Sequence, residues 1–266
     1  MISQTPWAYR RTVRVRNGGI GWLEVSHLPK RHALQLRFAS SLAPASQELL
    51  ARTRQVFDVG ADPGEIASVL GALASGAEGL RLPGAYDAFE LAMRAILGQQ
   101  VTVKAARTLA TRFVEAFGDS MPTPFGNLAR VFPLPSRVAG LTRDDIGSLG
   151  IVGQRAEAMI AVARAVDSGD LALDGSCEAD RMIDDLCGIK GVGPWTAHYI
   201  AMRALAWPDA WPPRDVAILK AMDLPVTGQG QRKADALAEA WRPWRSYAVL
   251  HTWRKLEPAH DTEDLR

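Results

Sequence analysis

At 266 residues and 47% hydrophobic content, the chain is long enough to bury a sizeable core and to divide into two or three subdomains. A formal net charge of only +2 does not announce a nucleic-acid-binding protein by overall electrostatics, and leaves room for a local patch. The two cysteines, Cys177 and Cys187, belong to no C-x-x-C or Cys/His pattern and the five histidines are scattered, so no zinc site is expected.

Near the start, Arg10, Arg11, Arg14 and Arg16 alternate with apolar residues, which reads as the wet face of a strand rather than a DNA groove. Residues 12–25 and 32–38 carry short alternating patterns, and Asn17-Gly18-Gly19 is the expected hairpin turn between antiparallel strands. From Pro44 onward helical spacing dominates. Helices are predicted over 46–57, 63–73, 85–97, 101–117, 141–149, 155–168 and 177–187. Four more are predicted over 195–206, 216–222, 230–241 and 244–255, and proline and glycine around 118–136 mark a connector. The fold class is therefore α+β: a small N-terminal antiparallel sheet followed by a mainly helical body. No basic leader precedes an apolar run, and no apolar run reaches membrane-spanning length, so the reading is a cytoplasmic protein with reduced thiols and no membrane partner.

The segment 186–215, LCGIKGVGPWTAHYIAMRALAWPDAWPPRD, carries the chemistry. Gly188, Gly191 and Gly193 lie in a short turn where glycine permits left-handed dihedrals and close backbone approach. Pro194 suits the first turn of the next helix, whose N–H groups and dipole favour an anion such as a phosphate. Alone, the turn reads first as a plain connection between two helices. Asp215 follows Trp-Pro-Pro-Arg, which cannot continue a regular helix, so it is placed at the N-cap of 216–222. A purely structural cap and a functional carboxylate both remain open, and they are compatible because a cap fixes the carboxylate's direction.

This segment resembles the helix-hairpin-helix, Gly/Pro-rich loop and Asp signature (HhH-GPD) of a DNA glycosylase superfamily, in its AlkA-type 3-methyladenine branch. Residues 81–90 (RLPGAYDAFE), 95–103 (AILGQQVTV) and 241–253 (WRPWRSYAVLHTW) agree with it in the family's order. The resemblance covers about residues 8–256 and implies a two-lobed helical body with DNA across the cleft. Its divisions here would be residues 1–63 as the sheet subdomain, 88–207 as the lobe with the hairpin, and 64–87 with 208–266 as the lobe with Asp215. The implied activity is removal of alkylated purines, of the 3-methyladenine and 7-methylguanine type, from double-stranded DNA by hydrolysis of the N-glycosidic bond.

By the same resemblance, Asp215 is the catalytic carboxylate, and Trp195, Tyr199 and Trp253 form the base pocket. Trp207, Trp211, Trp241 and Trp244 are assigned to packing. Gly188, Lys190, Gly191, Gly193 and Thr196 hold DNA at the hairpin, with Gln99 and Gln100 in the loop that carries the wedge. Gln100 stands where the best-known form has leucine, so a wedge and a structural loop both stay open there. The main-chain carbonyls of Cys187, Ile189 and Val192 match positions that hold Na+ or K+. No cofactor is required, and no cysteine after Cys187 is available for the iron–sulfur cluster of some relatives. Lyase-competent members carry a lysine where this chain has Trp195, which points to a monofunctional enzyme; a monomer suits a protein that must wrap one lesion. A non-catalytic hairpin DNA-binding protein and a glycosylase/lyase are the rival readings. Relatives begin earlier than the segment matched by 7–15, so either the sheet lacks an element or the chain belongs to a longer polypeptide.

Overall fold

The computed structural model describes residues 8–126 and 128–256, so the start of the segment matched at Trp7 lies outside the described residues. In chain order the strands are β1 (Ala8–Arg14), β2 (Ile20–Leu28), β3 (Ala33–Phe38), β4 (Asp119–Ser120) and β5 (Arg130–Val131). The helices are α1 (Ser46–Val56), α2 (Pro63–Leu70), α3 (Ala88–Leu97), α4 (Val103–Phe117), α5 (Pro135–Ala139) and α6 (Arg143–Gly147). They continue as α7 (Gly153–Ser168), α8 (Ala179–Cys187), α9 (Pro194–Ala204), α10 (Val216–Ala221), α11 (Gly228–Ala238) and α12 (Arg245–Arg254). The expected connector at 118–136 is corrected, because it contains the β4–β5 pair and leads directly into α5.

Contacts group the chain into two units. One comprises Met1–Arg54, Tyr86–Ala172 and Ile189–Gly191; the other comprises Gln55–Ala85, Leu173–Gly188 and Val192–Arg266. The sheet does not stand apart from the helices that follow it, because Tyr9 stacks on Tyr86 and Arg11 reaches Glu90 on α3. Equally, α9 groups with the segment that carries Asp215, since Met202 belongs to a core shared with Trp211, Ile218 and Tyr247.

In the first unit, β1-β2-β3 form an antiparallel sheet whose first hairpin closes by the Val15 N–H to Gly19 carbonyl bond. Gly18 takes φ +84 there, as the turn requires. Val13, Leu23 and Val25 are buried, while Glu24 on the central strand lies directly opposite Arg10 and Arg37 and pairs with both. The arginine cluster is therefore only partly a wet face. Arg11 points to the side of Tyr9 and Val13, its side chain is 18% exposed, and it pairs with Glu90 at 2.6 Å. Phe89, Phe113 and Phe132 stack edge to face or tilted inside the same unit.

In the second unit, Asp62 caps α2 by accepting from the Gly64 and Glu65 N–H groups. The core there gathers Leu70, Leu82, Met202, Trp211, Leu219 and Tyr247. Trp207, Trp241 and Trp244 pack against it, as assigned from the sequence. The Tyr247 hydroxyl donates to Asp58 Oδ2 at 2.7 Å, tying α12 to the loop before α2. No helix among the described residues is long and apolar enough to cross a membrane.

Candidate active site

Pro212 and Pro213 offer no backbone N–H, so no helix forms until Val216. Asp215 takes an extended conformation just before α10 and caps it, Oδ1 accepting the Ile218 N–H at 2.9 Å. The structural cap is thus real, and it leaves Oδ2 for other partners. Both come from tryptophans: Nε1–H of Trp195 donates at 2.7 Å and Nε1–H of Trp253 at 3.2 Å. Asp215 is only 5% exposed, and a carboxylate so placed needs its oxygens engaged. Three neutral donors from α9, α10 and α12 hold it in one orientation.

Trp195 enters from the second position of α9, after Gly193 as N-cap and Pro194 at the first turn. Tyr199 follows one turn later on the same face, its ring stacked on Trp195 at 5.3 Å and 8°. Tyr199 also meets Trp253 at 6.4 Å, and the Arg203 guanidinium lies 5.6 Å from its ring centre. An open cavity of about 450 Å³ is lined by Trp195, Arg214, Asp215, Val216, Ala217 and Trp253, a size within the ~300–1,000 Å³ common for ligand sites. Tyr199 joins this aromatic group through Trp195 and Trp253 and is not itself among the residues that line the cavity. The sequence reading missed that both indoles bond to Asp215 itself. The separation of 20 and 38 residues gave no local signal for it.

The hairpin before α9 follows its glycines. Gly188 ends α8 by donating to the Asp184 and Leu186 carbonyls, and Gly191 turns the chain at φ +95. Gly188, Lys190 and Gly193 are exposed. Thr196, the third residue of α9, is only 4% exposed. Gln99 is partly buried. Its Nε2 donates to the Gly191 carbonyl at 3.1 Å and its own carbonyl accepts from Arg155, so it braces the hairpin. Gln100 is exposed in the turn between α3 and α4 with φ +54, a conformation that costs a residue with a side chain about 1–2 kcal/mol. Cys187 and Ile189 flank Gly188 on that loop and Val192 follows Gly191; Val192 buries its side chain.

Two family descriptions match the chain: the AlkA N-terminal domain over residues 2–87, and the HhH-GPD superfamily base excision DNA repair protein over residues 93–246. DNA-3-methyladenine glycosylase 2 of Escherichia coli K12 is 35% identical over 223 residues, covering 84% of this chain and 77% of that protein. A probable bifunctional transcriptional activator/DNA repair enzyme AlkA of Mycobacterium tuberculosis H37Rv is 38% identical over 262 residues, covering 94% of this chain. The chain spans about half the length of that relative, 50%. Among solved structures, a 3-methyladenine DNA-glycosylase from Archaeoglobus fulgidus has TM-score 0.71 at 19% identity, covering 92% of this chain and 86% of its own. An 8-oxoguanine glycosylase/lyase of Clostridium acetobutylicum in complex with DNA has TM-score 0.70 at 18% identity, covering 92% and 88%. At such identity these two establish the fold alone. A hairpin, a proline-led aspartate and their matching family description over more than half the chain leave one conclusion: this chain belongs to the HhH-GPD superfamily of base excision DNA repair proteins.

Proposed function

We propose that the protein is a monofunctional DNA glycosylase that extrudes alkylated purines, of the 3-methyladenine and 7-methylguanine type, from double-stranded DNA and leaves an abasic site. One observation carries the reading: the buried Asp215 carboxylate is held by two indole N–H groups at the edge of an open aromatic cavity. The name of the E. coli relative, DNA-3-methyladenine glycosylase 2, supplies the substrate class.

The chemistry follows from the charge. Breaking an N-glycosidic bond gives the sugar oxocarbenium character, and a fixed anion beside C1′ stabilises it without moving. Alkylation at purine N3 or N7 makes the base cationic and a good leaving group, so the paired carboxylates of ordinary glycoside hydrolysis are unnecessary. The base must first leave the stack, and the faces of Trp195 and Trp253 receive it through stacking and cation–π attraction. Gln100 is assigned as the wedge that fills the vacated space, because the turn presents it to solvent. The exposed Gly188, Lys190 and Gly193, with Gly191, are assigned to the DNA backbone.

The carbonyls of Cys187, Ile189 and Val192 are neutral hard oxygens around a glycine turn, a donor set that fits Na+ or K+ better than a transition metal. Such an ion would join the hairpin to a phosphate; no other cofactor is assigned. Trp195 occupies the position of the lyase lysine and spends its N–H on Asp215, which supports the monofunctional reading. The enzyme is proposed to act as a monomer in the cytoplasm.

The test uses methylated duplex DNA with wild type and Asp215→Asn, scoring released bases and strand breaks separately. Wild type releases bases and leaves the strand intact until heat or alkali is applied; the variant releases none above background. Undiminished release by Asp215→Asn overturns the mechanism, and breaks without heat or alkali overturn monofunctionality.

A further inference from the structure

Of the six residues lining the Asp215 cavity, Arg214 is the one charged side chain to which the proposed chemistry gives no role. It is exposed, and its guanidinium makes no hydrogen bond or ion pair among the described residues. Its backbone is nevertheless held in the left-handed region at φ +58, a conformation that glycine adopts freely and that costs other residues about 1–2 kcal/mol.

The strained conformation is locked from the core. The Arg214 N–H donates to Gln231 Oε1 at 2.9 Å, Gln231 Nε2 donates to Asp235 Oδ1 at 2.6 Å, and the same oxygen accepts from Nε1–H of the buried Trp211 at 2.9 Å. Capping of α10 asks nothing of this position, since the cap is Asp215, the next residue. A side chain kept where glycine would be cheaper points to a use for that side chain.

We propose that the Arg214 guanidinium binds the backbone phosphate flanking the extruded nucleotide. The inference rests on the glycosylase reading. The two phosphates of a nucleotide are bonded to its own sugar, so a sugar presented to Asp215 brings both to the cavity rim, one residue from Asp215. A guanidinium offers a fork of N–H donors that matches phosphate oxygens. Charge balance argues the same way. An unpaired cation beside the cavity opposes a cationic base, and a phosphate partner removes that penalty.

The experiment measures binding to a duplex containing an abasic-site analogue, with all phosphates intact or with an uncharged methylphosphonate at the 5′ or the 3′ flanking linkage. Wild type is expected to lose about tenfold in affinity on one of the two substituted duplexes. Arg214→Ala loses about tenfold on the intact duplex and nothing further on that substituted one, and its salt slope falls by about one. Arg214→Gly distinguishes binding from folding: it relieves the backbone strain, so its melting temperature stays equal or rises while the affinity still falls. Unchanged binding by Arg214→Ala, equal further loss at both linkages, or a drop in melting temperature of Arg214→Gly that tracks its affinity would each overturn the assignment. Wild type that shows the coupling yet releases no methylated base overturns the glycosylase reading and leaves the phosphate contact standing. Base release without coupling does the reverse.

Discussion

At the scale of single residues, the site is organised by who donates to Asp215. One oxygen is committed to the helix it caps and the other to two indoles, so the carboxylate accepts everywhere and turns nowhere. Asparagine cannot reproduce this. Its single carbonyl oxygen can serve the Ile218 N–H or the indoles, and its amide N–H groups would face donors on the other side. Trp195→Phe is the finer probe, because it keeps a ring against Tyr199 and deletes only the donor at 2.7 Å. Hydrogen bonds to charged groups contribute about 1.5–3 kcal/mol, and each 1.4 kcal/mol is a tenfold rate change. Single-turnover excision by Trp195→Phe is expected to fall about tenfold, with affinity for an abasic-site analogue nearly unchanged. Trp253→Phe, which removes the longer bond of 3.2 Å, is expected to lose less. A wild-type rate for Trp195→Phe would show that the indole only packs.

At the scale of elements, the hairpin depends on a close approach. A Cβ on Gly191 would lie 2.9 Å from the Ala158 side chain on α7, and φ +95 disfavours any such side chain regardless of space. Gly191→Ala is therefore expected to cost about 2 kcal/mol in urea unfolding and to weaken DNA binding with it. Adding Ala158→Gly should return the steric part and leave the dihedral part. Full recovery in the double variant would mean that the left-handed turn is not what the glycine provides. Helices were legible from the sequence because apolar residues recur at helical spacing and capping residues bound them. Asp62, Thr102 and Asp215 all cap where side-chain chemistry says they should. The β4–β5 pair was not legible, since strands of two residues carry no period. Gln99 shows the same limit: its motif places it in the loop between α3 and α4, but only the fold shows its amide on Gly191, 92 residues on. Asp215 and the two tryptophans were legible one at a time, and their convergence on one oxygen was not.

At the scale of the molecule, one buried and one partly buried carboxylate, Glu24 and Glu90, each paired with two arginines, make stability depend on acid. Glu90 is 13% exposed at its side chain; burial disfavours its anion, but Arg11 and Arg94 outweigh burial and hold its pKa below the usual carboxylate value. Glu24 is likewise held low, first by its hydrogen bond from Arg10, against burial, and then by the charges of Arg10 and Arg37. A carboxyl whose pKa is lower folded than unfolded binds more protons when the chain unfolds, so its contribution is complete above the unfolded value of about 4.3 and is lost as pH falls through the folded value. Urea unfolding followed from pH 7 to pH 3 is expected to show these two contributions level down to about pH 5 and declining below it. Glu90→Gln separates their shares. At pH 7 it strands the Arg11 guanidinium, 18% exposed, without its carboxylate, a loss of about 3 kcal/mol by the usual cost of breaking a buried pair. Below the unfolded value of about 4.3 the unfolded wild-type chain takes up a proton at Glu90 that the folded chain resists, so the gap between the two proteins should narrow as acid is added. A gap that stays constant from pH 7 to pH 3 would mean that the substitution acts through packing, and that the Arg11–Glu90 charge pair adds nothing to the union of β1 with α3.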